Sequence, residues 1–114
     1  MSKIYIPTVS VAMTTYNGIA FLQKQINSIL NQTFKVYEIV VCDDGSTDGT
    51  IELLNEYSQN YNLKYFVNDM NLGFVKNFEQ SISLCSGEFI ALADQDDLWY
   101  PNKIEVLLNK IEDN

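Results

Sequence analysis

The sequence of 114 residues contains no histidine and no arginine, and its seven basic residues are all lysine. Without histidine, Ser-His-Asp and Cys-His catalytic arrangements and the usual zinc sites are excluded. Fifteen acidic residues leave a formal net charge of −8. A nucleic-acid-binding protein needs a basic surface, so we expect no nucleic-acid partner. If the protein binds a phosphate, a cation must do what arginine usually does.

Cysteine is also scarce, with Cys42 in an apolar run and Cys85 in a segment of helical periodicity. Both positions are typical of small buried side chains in a reducing compartment. The sequence shows no signal peptide and no apolar run long enough to cross a membrane. We therefore expect a cytoplasmic protein. Any association with the inner face of a membrane would come from another part of a longer chain.

Short apolar runs alternate with segments of helical periodicity, which predicts one α/β domain over residues 1–114. The fold class is a Rossmann-like parallel sheet with alternating helices, built from right-handed βαβ units. The predicted strands are Thr8–Met13, Tyr37–Cys42, Leu63–Val67 and Glu88–Ala93.

The helix ends carry recognisable signals. Asp48 is predicted to cap the second helix, Gly87 to follow the third as its C′ residue, and Pro101 to begin the fourth. The fourth helix has an apolar stripe from Ile104 to Ile111, and no closing strand follows it. We expect the chain to be part of a longer protein, and an uncovered stripe or sheet edge to promote self-association.

The segment with the most chemical information is the last predicted strand and the acids after it. Phe89–Ala93 reads as a strand buried on both faces, and it runs directly into Asp94, Asp96 and Asp97. Three carboxylates within four positions repel one another, and a hard divalent cation with oxygen ligands would relieve that repulsion. A solvated acidic turn is the alternative.

A second acidic pair, Asp43-Asp44, follows the second predicted strand. The carboxyl ends of parallel strands share one edge of a sheet, so the two acidic strand ends can converge on one crevice. An EF-hand beginning at Asp44 is rejected because its twelfth position is Asn55 instead of glutamate. A phosphoacceptor receiver domain needs acids after its first strand. This chain has Thr14-Thr15-Tyr16 there, which argues against a receiver domain.

Four motifs occur in a fixed order along the chain: Val9–Asn17, Asp43–Thr50, Asn71–Gly73 and Asp94–Pro101. Together they resemble the amino-terminal, donor-binding half of a family 2 glycosyltransferase with the GT-A fold, over Thr8 to Leu108. The acidic segment is most similar to bacterial rhamnosyltransferase-like members.

This resemblance implies roles for individual residues. Thr14 and Tyr16 match nucleotide-base positions, with the Tyr16 ring against the pyrimidine, although simple packing of that ring is an alternative. Asp44 matches the acid that accepts the N3–H of uracil or thymine. Asp94 matches the ribose and metal side of the D-x-D motif, and Asp96 matches the direct ligand of Mg²⁺ or Mn²⁺.

On the sugar side, the resemblance implies Asn71, Gly73 and Asp97 as sugar-proximal residues. The alternatives are a structural turn for Asn71 and Gly73, and a cap of the next turn for Asp97. Trp99 is either a wall of the pocket or an anchor for the loop, and we favour the anchor.

The activity implied is transfer of a sugar, with inversion, from a UDP- or dTDP-sugar to a saccharide or lipid-linked saccharide acceptor. Bacterial surface polysaccharide synthesis is the process expected. The family's catalytic base is expected beyond Asn114, so no acid here is assigned that role. The alternative is a metal-dependent nucleotide-binding module without transfer activity.

Overall fold

The computed structural model describes residues 5–94 and 97–112. Strands and helices alternate along this part of the chain, as the sequence predicts. The elements are β1 (Val9–Thr15), α1 (Ile19–Leu30), β2 (Glu38–Asp43), α2 (Thr50–Asn60), β3 (Leu63–Val67), α3 (Phe74–Ser83), β4 (Phe89–Ala93) and α4 (Lys103–Glu112).

The four strands form one parallel sheet in the order β3-β2-β1-β4, which confirms the predicted fold class. The chain steps outward from β1 to β3 and then returns to the other side of β1. Right-handed crossovers therefore place α1 and α2 on one face and α3 on the opposite face. The change of direction between β1 and β4 is where open α/β sheets form a ligand crevice, at the carboxyl ends of the strands.

The core lies around the two central strands, in which every residue is buried. These strands carry near-continuous apolar runs because helices cover both of their faces. The main apolar cluster joins one face of the sheet to α1, α2 and α4. Its members include Met13, Leu22, Ile26, Ile29, Ile39, Leu54, Tyr57, Trp99 and Ile104.

The prediction that the fourth strand is buried on both faces is wrong. On one face of β4, Ile90 and Leu92 are 40% and 53% exposed, whereas Ala93 on the other face is buried. The reason is the position of α3, which packs mainly over β1 and β2 and leaves this face of the outer strand uncovered.

Three predicted helix ends are also corrected. The N-cap of α2 is Gly49 (φ 101°), one residue after Asp48. The α3 helix ends at Ser83, well before Gly87. A Cβ on Gly87 would lie 2.6 Å from Ser10 Oγ, so glycine is required there for close approach to β1. Finally, α4 begins at Lys103, and Pro101 belongs to the preceding turn.

The apolar stripe of α4 is divided between core and surface. Ile104 is buried, whereas Leu107 and Ile111 are 41% and 49% exposed. They line a groove of about 350 Å³ together with Ile90 of β4. Both cysteines are free thiols. Within the described ranges, none of the helices has the length and apolar character needed to cross a membrane.

A buried carboxylate holds the opposite, amino-terminal end of the sheet together. Glu38 Oε2 accepts hydrogen bonds from Ser10 Oγ (2.6 Å), Ser86 N (2.6 Å) and Ser86 Oγ (2.9 Å). Its Oε1 pairs with Lys64 Nζ at 3.1 Å. Burial by itself would raise the pKa of Glu38, but the hydrogen bonds and Lys64 outweigh burial and lower that pKa to about 2.

Because the pKa of Glu38 is lower in the folded than in the unfolded chain, folding favours its ionised form. We expect a contribution of about 3 kcal/mol to the free energy of unfolding. It is fully present above the ordinary pKa of 4.5 and is lost as the pH falls towards 2. In urea denaturation, Glu38→Gln should be destabilised at pH 7 and should lose much less stability than the wild type between pH 5 and 3.

Glu56→Gln, an exposed change on α2, is the control and should follow the wild type. Parallel pH profiles for the wild type and Glu38→Gln would contradict this role.

Candidate functional site

Acidic strand ends flank β1 at the carboxyl edge of the sheet, as expected from the sequence. Thr15 of β1 is in register with Asp43 of β2, and Met13 is in register with Ala93 of β4. Asp94 therefore follows β4 on one side of β1, and Asp44 follows β2 on the other. Since neighbouring strands are about 4.8 Å apart, β2 and β4 are separated by roughly 10 Å. That distance is suitable for a crevice over the end of β1.

Asp43 has a structural role at this edge. Its Oδ2 accepts the backbone N–H groups of Gly45 (3.0 Å) and Ser46 (2.8 Å). Its Oδ1 accepts the hydroxyls of Ser46 (2.6 Å) and Thr15 (2.7 Å). Both carboxylate oxygens are thus used to shape the turn after β2. Asp43 is therefore a cap of this turn.

Asp44 is only 6% exposed and is held by the segment 68–73 that leads into α3. Its Oδ1 accepts Leu72 N (2.7 Å) and Asn68 Nδ2 (3.0 Å), and its Oδ2 accepts Gly73 N (3.0 Å). Burial would raise the pKa of Asp44, but these three donors outweigh it and lower the pKa. A carboxylate has about four acceptor positions, so Oδ2 can accept one further donor.

The same contacts locate Asn71 and Gly73 beside Asp44. The Asn71 amide lies 3.4 Å from the backbone oxygen of Asp44. Gly73 begins α3 with φ 85°, a left-handed value that favours glycine, and this conformation directs its N–H to Asp44. Both residues therefore shape the loop at Asp44, and their proximity to a sugar stays a prediction.

A second clasp joins the starts of α1 and α2. Asp48 Oδ1 accepts Thr50 Oγ1 (2.6 Å) and Thr50 N (3.1 Å), and its Oδ2 accepts Ile19 N (3.0 Å). The hydroxyl of Thr50, followed by the backbone donors, lowers the pKa of Asp48 despite a smaller opposing effect of desolvation. Asp48 therefore serves two helix starts, where the sequence predicts only one.

Asn17 is a residue of this edge that the sequence reasoning did not single out. Its φ is 50°, its Oδ1 accepts Thr47 N at 2.8 Å, and its N–H donates to Ser46 Oγ at 2.8 Å. The turn signal Tyr-Asn-Gly contained the available clue, because asparagine tolerates a left-handed backbone. Asn17 connects the end of β1 to the loop after β2.

The two residues assigned to the nucleotide base lie at the end of β1, between the acidic strand ends. Thr14 is inside the strand and is 5% exposed. Tyr16 follows the strand and is 49% exposed. A half-exposed ring at this position offers surface on which a planar base can stack, more than a ring packed under a helix would.

The acids after β4 differ from one another in their environments. Asp94 is exposed, and its backbone oxygen accepts the Gln25 side-chain amide and Asp97 N (3.2 Å). Its carboxylate has no hydrogen bond or ion pair among the described contacts. Asp97 Oδ2 accepts Trp99 Nε1 at 3.3 Å and lies 3.7 Å from Lys103 Nζ. Asp96, the predicted direct metal ligand, lies outside the described residues.

Trp99 is the anchor that the sequence predicts. It is 5% exposed and belongs to the main apolar cluster. Its backbone N–H donates to Ser28 Oγ of α1 at 3.2 Å, and Lys103 Nζ lies 4.7 Å from its ring centroid. These contacts fasten the segment after β4 to α1 and to the start of α4.

The donors at this edge fit a hard cation only in part. In residues 5–94 and 97–112, no cluster of three or more acidic or cysteine side chains is arranged to hold a metal ion. Asp43, Asp44, Asp48 and Asp97 are used by hydrogen bonds, and Asp94 offers an exposed carboxylate. One carboxylate suits a cation that takes its other oxygen ligands from a diphosphate and water.

The helix starts at this edge already have anionic partners. Asp48 accepts from the first turns of α1 and α2, and Asp44 accepts from the residue that begins α3. Free helix N-termini commonly bind phosphate, but here the protein's own carboxylates occupy that role. A bound diphosphate would therefore need a counter-charge from elsewhere.

An open groove of about 420 Å³ adjoins the acids after β4. Asp94, Asp97 and Glu79 are among its lining residues, and the rest of the lining consists of apolar side chains of α3 and β4. The principal wall residues are Phe74, Val75, Phe78, Ile82 and Leu92. The groove gives the carboxyl edge a concave surface large enough for part of a small ligand.

The chain is similar to known proteins both in sequence and in structure. The chain is 34% identical over 106 residues to the Escherichia coli UDP-Glc:alpha-D-GlcNAc-diphosphoundecaprenol beta-1,3-glucosyltransferase WfgD, covering 93% of this chain and 42% of that protein. The structure superposes on S. aureus TarS in complex with UDP with a TM-score of 0.83 and 29% identity, over 93% of this chain and 32% of that one.

A third match is the mannosyltransferase PcManGT from Pyrobaculum calidifontis, solved with GDP-Man and Mn²⁺. Its TM-score is 0.79 at 25% identity, over 95% of this chain and 32% of that one. The chain thus spans less than half the length of each of these three proteins. These structural neighbours are glycosyltransferases of the GT-A fold.

The family model described as glycosyl transferase family 2 matches residues 10–114, nearly the whole chain. All four motifs except the first residue, Val9, fall within that match, and the parallel sheet with its acidic carboxyl edge agrees with it. The chain belongs to glycosyltransferase family 2.

Proposed function

We propose that residues 1–114 form the nucleotide-sugar-binding half of a metal-dependent glycosyltransferase. The donor is a UDP- or dTDP-sugar, the acceptor is a saccharide or lipid-linked saccharide, and the transfer inverts the anomeric centre. The process is bacterial surface polysaccharide synthesis. The observation that carries the proposal is the placement of Asp44 and Asp94 on either side of the β1 end, where Tyr16 is exposed.

The base is assigned to the Asp44 side of the crevice. The acceptor position that remains on Asp44 Oδ2 matches the single N3–H donor of uracil or thymine. Tyr16 provides the stacking surface, which is worth about 1–3 kcal/mol per base in nucleic-acid complexes. Thr14 forms the floor at the end of β1. TarS, solved with UDP, supports a uridine nucleotide as the first ligand to test.

The diphosphate and metal are assigned to the Asp94 side, with Asp96 as the direct ligand of Mg²⁺ or Mn²⁺ and Asp94 between metal and ribose. When bound, the cation neutralises the charge that develops on the diphosphate leaving group. Three observations support this assignment: the absence of arginine, the helix starts already occupied by carboxylates, and the uncommitted carboxylate of Asp94. PcManGT was solved with Mn²⁺.

The sugar is assigned between the two sides, near Asn71, Gly73 and Asp97. Asp97 uses Oδ2 for Trp99 and Lys103, while its Oδ1 has no hydrogen bond among the described contacts. Asp97 lines the groove beside Asp94, and we assign its Oδ1 as the acceptor of a sugar hydroxyl. Asn71 and Gly73 act from the Asp44 side through the shape of their loop.

In an inverting transfer, the acceptor oxygen forms a bond to the anomeric carbon as the bond to the diphosphate breaks. The bonding pair leaves with the nucleoside diphosphate, and a base takes the proton of the acceptor hydroxyl. Asp43, Asp44, Asp48 and Asp97 are all held in hydrogen bonds to the protein. None of the described acids is assigned as that base, and we place it in sequence beyond Asn114.

Because none of the described acids is assigned as the catalytic base, a second candidate function is also favoured. By itself, the chain would then be a metal-dependent nucleotide-binding module without transfer activity. The two candidates share the nucleotide site and differ in whether an acceptor is used.

We expect UDP binding to depend on the metal, because no arginine is present to balance the diphosphate. Calorimetry should show little binding of UDP in EDTA and recovery of binding with Mn²⁺. Asp96→Ala should abolish the effect of Mn²⁺, and Asp97→Ala should change it only mildly. Equal affinity in EDTA and Mn²⁺ would remove the metal from the site, and a larger effect of Asp97→Ala would show that the ligand is misassigned.

We expect UDP to bind at least about tenfold more tightly than CDP, because cytosine has no N3–H and would leave the buried Asp44 carboxylate facing an acceptor. Asp44→Asn should reduce this preference. GDP should be included in the same titrations, since guanine also offers N–H donors. Comparable affinities for UDP and CDP in the wild type would exclude Asp44 as the base acceptor.

We expect the 114-residue chain to bind UDP without transferring sugar, and to self-associate at high concentration. Ile90, Leu92, Leu107 and Ile111 leave an apolar surface at the outer strand. In sedimentation, Leu92→Lys (53% exposed in the wild type) should reduce association, whereas Tyr61→Lys, just after α2 and similarly exposed (51%), should not. UDP release from a UDP-sugar that depends on an added acceptor alcohol would show that the chain alone is active.

A further inference from the structure

A chain of side-chain amides connects α3 to Asp44, and neither the family match nor the proposed function assigns it a role. Asn68 lies at its centre, in the turn between β3 and α3. Its Nδ2 donates to Asp44 Oδ1 at 3.0 Å and to Asn77 Oδ1 at 2.8 Å. Its Oδ1 accepts Gln80 Nε2 at 3.0 Å. Asn68 thus uses both ends of its amide.

The direction of the hydrogen bonds in this chain is determined by Asn77. Asn77 is 2% exposed and donates through Nδ2 to the backbone oxygen of Cys42 at 2.8 Å, so its Oδ1 faces Asn68 and accepts from the Asn68 NH₂ group. The Asn68 Oδ1 then needs a donor, which Gln80 Nε2 supplies; the same nitrogen lies 3.4 Å from Cys42 Sγ. With an acceptor on one side and a donor on the other, Asn68 can present only its NH₂ group to Asp44.

The arrangement has a consequence for Asp44. Three donors converge on that carboxylate: the Asn68 amide and the backbone N–H groups of Leu72 and Gly73. If Asp44 were protonated, its O–H would either point at one of these three donors, which is unfavourable, or occupy the one acceptor position that is still open. Donors at three of its four acceptor positions therefore favour the ionised form of Asp44, which only accepts hydrogen bonds. The lowered pKa of Asp44 agrees with this geometry.

We propose that Asn68, oriented by Gln80 and Asn77, is a positioning residue that keeps Asp44 an acceptor and thereby selects bases with an N–H donor over cytosine. This inference rests on the proposed function, in which Asp44 faces the base. An acceptor-only Asp44 pairs with the N3–H of uracil. A protonated Asp44 could instead donate to the bare N3 of cytosine, so the preference depends on the charge that Asn68 maintains.

The charged residues on the surrounding elements do not account for the state of Asp44. They are Asp43 on β2, Asp69 in the loop, and Lys76 and Glu79 on α3. None of them has a hydrogen bond or an ion pair to Asp44 among the described contacts, and Asp43 is turned towards Thr15 and Ser46. Cys42 is buried, which raises the pKa of its thiol and keeps it neutral.

The test is the ratio of UDP to CDP affinity, measured by calorimetry with Mn²⁺ at pH 7.5 and 5.5. Asn68→Asp places a second carboxylate against Asp44, and two such groups share a proton. We expect this variant to lose at least about tenfold of the UDP preference, with a greater loss at pH 5.5. The wild-type ratio should change little between the two pH values. Asn60→Asp on α2 makes the same charge change at an exposed position and should retain the wild-type ratio.

A second variant keeps the proposal testable if Asn68→Asp does not fold. Gln80→Leu removes the donor that orients Asn68 and adds no charge, and we expect it to lower the UDP preference several-fold. Gln23→Leu on α1 is its matched control. If either network variant weakens UDP and CDP equally, Asn68 is only structural and the inference is wrong. If the wild-type chain shows no preference between UDP and CDP, both this inference and the proposed role of Asp44 in base recognition are wrong.

Discussion

The buried carboxylate of Asp44 is the constraint on which the carboxyl edge of the sheet depends. Leaving such a charge without donors would cost several kcal/mol, so the chain must bring hydrogen-bond donors to it. It does so with Asn68 and the backbone N–H groups of Leu72 and Gly73. These bonds fix the loop after β3 and the first residue of α3. The start of α3, and with it one wall of the groove at this edge, is therefore set by Asp44.

The same solution recurs elsewhere in this acidic chain. Asp43 shapes the turn after β2, Asp48 joins the starts of α1 and α2, and Glu38 ties three strands together at the opposite end of the sheet. Each accepts several hydrogen bonds, so its charge is stabilised locally. These four acids thus have a structural use, whereas the exposed carboxylate of Asp94 at the carboxyl edge has no such contacts among those described.

The two sides of the sheet differ in how far helices cover them. Near β1 and β2, helices cover both faces and the strands are fully buried. At β4, one face is open, with Ile90 and Leu92 exposed, and Ile90 lines a groove together with Leu107 of α4. The crevice at the carboxyl edge lies beside this open region, since Asp94 follows β4 directly. The ligand crevice at the carboxyl edge and the exposed apolar surface of β4 therefore lie on the same side of the molecule.

By itself, the sequence determined the order of strands and helices, the parallel α/β class and the family, because periodicity and ordered motifs are local properties. It also placed Asp44 and Asp94 at strand ends. Only the tertiary structure decided which acids have partners: Asp94 and Asp97 look alike in sequence, yet Asp97 is held by Trp99 and Lys103.

Long-range contacts explain the remaining differences. Asp44 is bound by a loop 28 residues away in sequence, and Gly87 is required by its approach to Ser10 of β1. The open face of β4 follows from where α3 packs. Strand patterns do not encode which neighbours cover a strand, so only the assembled sheet shows that this apolar run has one exposed face.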